Sequence, residues 1–169
     1  MLRDIQKEII KLKKETNTAI LAHSYQSPEI LEVADASGDS FALSTVAATM
    51  EQKNIILCGV RFMAETVKVL SPEKTVYLSN QTATCPMAQM IKPEEIIAYK
   101  KEHPNVVVVV YVNTTTAIKA VCDVCVTSSS AVSIVSKIDK PILFVPDKNL
   151  GGYIKKAFPQ KDITVWNGC

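Results

Sequence analysis

The sequence predicts an α/β protein made of two copies of one three-layer α/β/α unit, each with a short parallel sheet. Two observations lead to this prediction. Short apolar segments alternate with amphipathic segments along the 169 residues, and parallel strands need crossover helices of this kind. The order of segments in the first half also returns in the second. We expect the first unit, with an N-terminal helix, over residues 1–87 and the second over residues 88–169.

The first half contains three predicted helices and three predicted strands. Residues 2–14 carry apolar side chains three to four positions apart, which predicts an amphipathic helix: Leu2, Ile5, Ile9 and Leu12. The strand TAILAH follows, and Pro28 then marks a loop. A helix over residues 40–53, capped by Asp39 or Ser40, leads into the strand NIILCG. The helix FMAETVKVL and the strand KTVYL complete the half.

The second half repeats this order after the loop NQTATCPMAQM, a helix near residues 93–101 and the strand VVVVVYV. Asp123 follows Asp35 by 88 positions (123 − 35), and Ser128 follows Ser40 by the same interval. The comparison also places IILCGV over LFVPDK, FMAETVKVL over GGYIKKAFP and, after one residue of slippage, TVYLSN over TVWNGC. Repeated units of this kind meet around a pseudo-symmetry axis, where we expect a site, and a third copy is expected to be missing.

Composition and charge exclude several classes of function. The formal net charge is +2 and no basic block is present, which argues against a nucleic-acid partner. The longest wholly apolar stretch has seven residues, whereas a membrane helix needs roughly 20. The charged N-terminus lacks a secretory signal, so we expect a cytoplasmic protein whose five cysteines are reduced thiols or metal ligands.

Ligands of an open parallel sheet collect beyond the carboxyl ends of its strands and at the helix N-termini that face them. Six residues fall at such positions: His23, Tyr25, Ser40, Tyr111, Asn113 and Ser128. Imidazole exchanges protons near neutral pH, although His23 also fits a simple hydrogen-bonded strand end. The two serines at helix starts suit a carboxylate or phosphate, or act as ordinary N-caps. The tyrosines suit hydrogen bonds to a ligand or the edge of a core.

The cysteines fall into three groups. Cys85 lies in the polar loop NQTATCPMAQM, and Cys169 occupies a comparable place after the last strand of the second copy, so thiolates from both loops suit zinc or an iron–sulfur cluster. Cys122 and Cys125 form C-D-V-C, which fits a redox pair or half of a zinc site. The matching positions of the first half carry no thiol, which favours a structural role for this pair. Cys58 lies in an apolar strand and fits a buried small hydrophobe.

Seven motifs occur in an order and spacing that closely resemble the NadA family of quinolinate synthases: LAHSYQ, GDS, GVRFMAETVKVL, TATCPMA, YVNTTT, TSSSAV and PDKNLGGYI. The resemblance covers nearly all of the chain. It implies a pseudo-threefold, three-domain α/β protein with a central [4Fe–4S] cluster held by one cysteine from each domain. This chain resembles the first two of those domains.

The resemblance implies a transferase that condenses iminoaspartate, supplied by aspartate oxidase, with dihydroxyacetone phosphate, giving quinolinate, phosphate and two waters in NAD biosynthesis. It implies that Cys85 is a cluster ligand and that Tyr25 and His23 take part in catalysis. Substrate contacts are implied for five residues: His23, Ser40, Tyr111, Asn113 and Ser128.

Two departures from the family pattern bear on these expectations. The second cysteine motif resembles W-x-G-x-C-x-x-H, which places Cys169 one position early, and the third domain is absent. We therefore expect this chain alone to be inactive and to hold no stable cluster. The alternative is a non-catalytic module in which Ser40 and Ser128 bind a dicarboxylate or phosphate.

Overall fold

The computed structural model describes residues 3–168 and divides the chain into two compact units, Met1–Thr84 and Cys85–Cys169. Each unit has a four-stranded parallel sheet with helices packed against it. The predicted fold class, α/β with repeated α/β/α units on short parallel sheets, is confirmed. Between residues 3 and 168, every helix is too short or too polar to span a bilayer.

The first unit alternates four helices with four strands. In chain order they are α1 (Asp4–Glu15), β1 (Thr18–His23), α2 (Pro28–Leu31), β2 (Ala36–Gly38), α3 (Ser40–Thr49), β3 (Asn54–Cys58), α4 (Arg61–Leu70) and β4 (Thr75–Leu78). The strand order is β2-β1-β3-β4. On one face, Ile9 of α1 and Ile30 of α2 pack against Ile20 and Cys58 of the sheet. Helices α3 and α4 contact each other and strands of the sheet, which forms the remaining layer.

The second unit repeats the arrangement after a 3-10 helix at Met87–Gln89. Its elements are α5 (Pro93–Glu102), β5 (Val107–Tyr111), α6 (Thr116–Lys119), β6 (Val124–Val126), α7 (Ala131–Val135), β7 (Ile142–Val145), α8 (Lys148–Ala157) and β8 (Ile163–Val165). The strand order β6-β5-β7-β8 matches that of the first unit. Val109 and Phe144 pack with α7 and α8 on one face, whereas Val108 and Leu143 pack with α5 and α6 on the other.

Each sheet has a fourth strand that the sequence analysis did not predict. Strands β2 and β6 contain three residues each and lie at the edges of their sheets, and the preceding helices α2 and α6 contain four residues each. Segments of this length are too short to show a helical or strand period. The region around Pro28, predicted as a loop, therefore contains a short helix that begins at that proline.

The interval between the two copies is 88 residues in one part of the unit and 87 in the next. Ile20 pairs with Ile56 in the first sheet, and Val108, 88 positions after Ile20, pairs with Leu143 in the second. Leu143 follows Ile56 by 87 positions (143 − 56), and α8 begins 87 positions after α4 (148 − 61). The predicted alignments of IILCGV with LFVPDK and of FMAETVKVL with GGYIKKAFP were therefore out of register. The predicted alignment of TVYLSN with TVWNGC was out of register as well. One residue is lost before β7.

Helix α1 packs on a different face from the one expected. Ile5 and Leu12 are 64% and 48% exposed, whereas Gln6 is buried. The Gln6 amide Nε2 donates hydrogen bonds to the Glu29 carbonyl oxygen at 2.9 Å and to Glu32 Oε2 at 2.7 Å. These bonds satisfy a buried polar side chain against α2 and turn part of the predicted apolar stripe towards solvent. Leu2, the first member of that stripe, lies outside the described residues.

The aspartates of the repeated Asp-x4-Ser pattern hold the sheets together. Asp35 Oδ2 accepts a hydrogen bond from the Ile20 backbone N–H, and Asp123 Oδ2 accepts one from Val108, both at 2.8 Å. A salt bridge of 2.8 Å joins Lys100 to Asp123. Burial alone would raise the pKa of Asp123, but the hydrogen bonds from Lys100 and Val108 and nearby lysine charges lower it below the ordinary value. Each aspartate therefore fixes a central strand of its own sheet: Asp35 bonds β1, which ends at His23, and Asp123 bonds β5, which ends at Tyr111.

Candidate functional site

His23 lies at the carboxyl end of β1, in the centre of the first sheet. It is the last residue of the strand, pairs in register with Gly38 of β2, and is 4% exposed. Its Nδ1 accepts a hydrogen bond of 3.1 Å from the backbone N–H of Tyr25. A nitrogen that accepts a hydrogen bond carries no proton, so this contact assigns the proton of the neutral ring to Nε2. His23 can therefore donate a hydrogen bond or a proton from Nε2.

The surroundings of His23 keep the ring neutral. Burial lowers the pKa of His23 below its ordinary value, while the negative charge of Asp39 acts in the opposite direction. Protonation of Nδ1 would also break the hydrogen bond from Tyr25. At neutral pH the side chain is consequently a hydrogen-bond donor without a positive charge.

Tyr25 projects its ring into solvent beside His23. The two ring centroids lie 3.9 Å apart at an interplanar angle of 49°, and Tyr25 is 86% exposed. A tyrosine with this exposure contributes little to a core. The structure thus brings together two of the predicted site residues, one buried and one accessible, at the carboxyl edge of the first sheet.

Ser40 is the first residue of α3, but Asp39 is the cap of that helix. Asp39 Oδ1 accepts hydrogen bonds from the backbone N–H groups of Phe41 and Ala42 at 2.9 and 2.8 Å. The expectation that the N–H groups at this helix start are free is wrong for two of them, because a carboxylate of the chain already bonds both. Ser40 itself is 9% exposed and remains at the carboxyl edge of the sheet.

The second sheet presents Tyr111 and Asn113 at the matching edge. Tyr111 is the last residue of β5 and pairs in register with Val126 of β6, as His23 pairs with Gly38. Both residues are half-buried. The predicted positions of Tyr111 and Asn113 at and just beyond a strand end are confirmed.

Ser128 does not begin a helix as expected. It is exposed and lies in a turn, and α7 begins three residues later at Ala131. In this turn the Thr127 N–H donates to Ser130 Oγ at 3.0 Å, and the Ser130 N–H donates to Thr127 Oγ1 at 3.2 Å. These hydroxyls bond the chain around Ser128, and α7 has only five residues, so the predicted helix start at Ser128 is wrong.

Cys85 is a half-buried free thiol that follows the loop after β4. Its carbonyl oxygen accepts a hydrogen bond of 3.0 Å from Ala88 in the 3-10 helix. From residue 3 to residue 168 no three His, Cys, Asp or Glu side chains are grouped to hold a metal ion. One soft thiolate donor suits an iron–sulfur cluster but cannot hold one, so the described residues do not by themselves fit the group. Cys169, the second predicted ligand, lies outside the described residues.

The segment before Cys169 is positioned by tight packing. Trp166 packs against the core of the second unit, and its backbone N–H bonds the Phe144 carbonyl oxygen at 2.9 Å. A side chain at Gly168 would collide with the carbonyl oxygen of Pro146. The glycine of the Trp-Asn-Gly-Cys motif therefore permits close approach of two backbone segments.

The remaining cysteines do not favour thiolate chemistry. Burial raises the pKa of Cys122 to about 12, with Asp123 adding to the effect, and burial also raises the pKa of Cys125 and of Cys58. Protonated thiols are poor nucleophiles and poor metal ligands. The structure therefore supports a structural interpretation of the C-D-V-C pair over a redox one.

Arg61 was missed by the sequence analysis. It begins α4 three positions after Cys58, the last residue of β3, and it bonds the loop that leads to Cys85 at two carbonyl oxygens, those of Gln81 and Ala83. Its place just beyond a strand end, within the motif GVRFMAE, is the signal that could have identified it.

The pKa of His23 can be tested by NMR titration of its ring signals. We expect a midpoint below 6.5, and a further decrease in Asp39→Asn, because asparagine keeps the helix cap but removes the charge that raises the pKa. The stability linked to this group should be present above pH 6.5 and lost as the pH falls through the folded-state pKa, since the unfolded chain then binds the proton more tightly.

Asp147→Asn is the matched control for this titration. Asp147 caps α8 through the N–H groups of Asn149 and Leu150, just as Asp39 caps α3. It lies in the other unit and is absent from the charges that act on His23. A His23 midpoint at or above 6.5, or equal shifts in the two variants, would contradict the assignment.

Comparison with known proteins identifies the family. Residues 7–169 match the family described as Quinolinate synthetase A protein, NadA. A quinolinate synthase of Clostridioides difficile (strain 630) is 52% identical over 169 residues, covering 99% of this chain and 56% of the relative. One from Clostridium perfringens (strain 13 / Type A) is 52% identical over 166 residues, covering 98% and 55%. One from Mycobacterium tuberculosis (strain ATCC 25177 / H37Ra) is 50% identical over 163 residues, covering 95% and 47%.

The chain spans about half the length of the curated relatives it matches. The matched segments are close to 50% identical overall and extend through both units. The family match alone covers all the described site residues. This chain belongs to the NadA family, the quinolinate synthases.

Proposed function

We propose that this chain contributes the His23 and Tyr111 strand ends to a quinolinate synthase, which condenses iminoaspartate with dihydroxyacetone phosphate to quinolinate, phosphate and two waters. The observation that carries the proposal is the family match over residues 7–169, in which the polar residues lie at the carboxyl ends of central strands. The proposal includes the transferase class, a cytoplasmic location and supply of iminoaspartate by an aspartate oxidase.

Each site residue has a role suited to its surroundings. His23 donates a hydrogen bond from Nε2 to a substrate oxygen, because Nδ1 is engaged by Tyr25. Tyr25 transfers protons, since its ring is exposed beside the imidazole. Four further residues contact substrate through hydroxyl or amide groups: Ser40, Tyr111, Asn113 and Ser128.

A [4Fe–4S] cluster is part of the proposed holoenzyme, with Cys85 as one ligand. A cluster with an open iron supplies Lewis acidity to a substrate oxygen. The other thiolates come from outside residues 3–168, and Cys169 stands one position early in the family motif. We therefore propose that the 169-residue chain alone holds no stable cluster and has no turnover.

Anaerobic reconstitution with iron and sulfide tests the role of Cys85. The chain alone should show no stoichiometric [4Fe–4S] absorbance. A chimera in which this chain replaces the aligned part of the Clostridioides difficile relative should bind the cluster and make quinolinate, and Cys85→Ser in the chimera should abolish both, because serine is a poor iron ligand.

Cys122→Ser and Cys125→Ser in the same chimera are the matched controls, because both thiols have raised pKa values and should leave the cluster intact. The unmodified relative shows that the reconstitution works. A full cluster in the isolated chain, or in the Cys85→Ser chimera, would overturn the assignment of ligands.

A further inference from the structure

Arg61, the first residue of α4, bonds the loop between β4 and Cys85 at two places. The backbone N–H of Arg61 donates a hydrogen bond of 3.0 Å to the carbonyl oxygen of Ala83. The guanidinium Nη2 of Arg61 donates a second, of 2.9 Å, to the carbonyl oxygen of Gln81. Arg61 thus bonds two alternate carbonyls just before Cys85.

The other bonds of this loop set its turn. Asn80 Oδ1 accepts hydrogen bonds from the Thr82 N–H at 3.0 Å and the Thr82 hydroxyl at 2.8 Å, and the Ala83 N–H donates to the Asn80 carbonyl oxygen at 3.1 Å. These contacts form an Asx-type turn within four residues. They give the loop its shape but do not attach it to the sheet or its helices.

Hydrogen bonds near both ends of the loop attach it to the rest of the first unit. At its start, the Ser79 N–H donates to the Leu57 carbonyl oxygen of β3 at 3.0 Å. Towards its end, the bonds from Arg61 reach Gln81 and Ala83, and Ala83 lies two residues before Cys85. The Arg61 side chain is exposed, so its guanidinium bonds the loop from the surface and does not pack in the apolar core.

We propose that Arg61 is a positioning residue that holds the loop before Cys85 and so sets the direction and accessibility of the Cys85 thiol. Its importance for a cluster rests on the proposed ligand role of Cys85. Its effect on the loop does not, and can be measured in the 169-residue chain without metal.

Two measurements on Arg61→Met test the proposal. Alkylation of Cys85, followed by peptide mapping so that the other thiols are counted separately, should become roughly three- to tenfold faster. Hydrogen exchange of the Thr82 and Ala83 amides should accelerate by a similar factor. Loss of a single solvent-exposed hydrogen bond of ordinary net strength shifts a local opening equilibrium by about this amount. Methionine keeps the length of the side chain and removes the guanidinium donor to Gln81, while the backbone N–H bond to Ala83 remains.

The conservative variant and a matched control separate positioning from a general loss of structure. Arg61→Lys retains one charged donor and should restore part of the slow alkylation. Arg3→Met removes the exposed guanidinium that bonds Glu29 at 3.1 Å and should leave Cys85 unchanged. The melting temperature should be the same in all variants.

Unchanged alkylation and exchange in Arg61→Met, or equal changes in Arg3→Met, would overturn the proposal. A lowered melting temperature with uniformly faster exchange would also overturn it, because Arg61 would then stabilise the whole unit. In the chimera, a cluster that survives Cys85→Ser rejects the ligand role while the Arg61 effect on the loop stands. The two failures are therefore distinguishable.

Discussion

Gly151→Val should lower the free energy of unfolding of the second unit by about 3 kcal/mol, because overpacking a filled core forces side chains and backbone to move. A Cβ atom at Gly151 in α8 would lie 2.7 Å from Val165 Cγ1 and 3.0 Å from Phe144 Cδ1. Phe144 is fully buried in β7 and cannot move aside at low cost. Urea unfolding followed by Trp166 fluorescence measures the effect, since this single tryptophan packs against the same unit.

The neighbouring glycine provides the control. A Cβ atom at Gly152 meets no heavy atom within 4 Å, so Gly152→Val should change the free energy of unfolding by less than about 1 kcal/mol. Alanine substitutions at the two positions should change the free energy of unfolding in opposite directions, with Gly152→Ala stabilising by about 0.5 to 1 kcal/mol. Equal effects at the two positions would contradict the packing argument and imply that β8 has room to move.

Elements with a strong period could be predicted from the sequence. The segment TAILAH is strand β1 in full, and FMAETVKVL is α4 except for its first residue. The three-residue strands β2 and β6 could not, because three residues carry no period and their pairing partners lie far along the chain. Strand β2 nevertheless brings Asp39 and Ser40 to the carboxyl edge of the first sheet, since both residues follow it directly.

The register between the copies could not be fixed from composition alone. Central strands such as β7 are buried along their whole length, so apolar residues do not alternate and a shift of one residue leaves the pattern unchanged. Only the hydrogen bonds reveal that Ile56 corresponds to Leu143. The lost residue lies before β7, where no apolar pattern constrains the alignment.

The positions of the candidate residues could be predicted where they follow from strand ends, but not where they depend on side-chain partners. His23 and Tyr111 follow from the ends of two buried strands. The aspartates of Asp-x4-Ser bond backbone N–H groups 15 residues away, a distance at which the sequence gives no signal. Ser128 was misplaced because Thr127, and not an aspartate, follows β6 and forms a hydroxyl-bonded turn there.

Tyr25→Phe should reduce kcat for quinolinate formation by about 100-fold or more in the chimera, because proton transfer by a positioned side chain contributes roughly 10²- to 10⁴-fold to a rate. This prediction rests on the proposed function. The substitution removes only the hydroxyl. The ring contact with His23 at 3.9 Å and the backbone N–H bond to His23 Nδ1 both remain, so the geometry and tautomer of the histidine should be preserved.

Tyr77→Phe is the matched control, because it also removes the hydroxyl of an exposed tyrosine but does so at a different position in the first unit. Tyr77 is also exposed, at 53%, but it lies on the edge strand β4 and not at the end of β1. Its loss should leave kcat and KM unchanged. Activity within twofold of the parent in Tyr25→Phe would show that the exposed tyrosine transfers no proton in the limiting step. Loss of affinity with an unchanged kcat would instead show that its hydroxyl binds the ground state and the transition state equally.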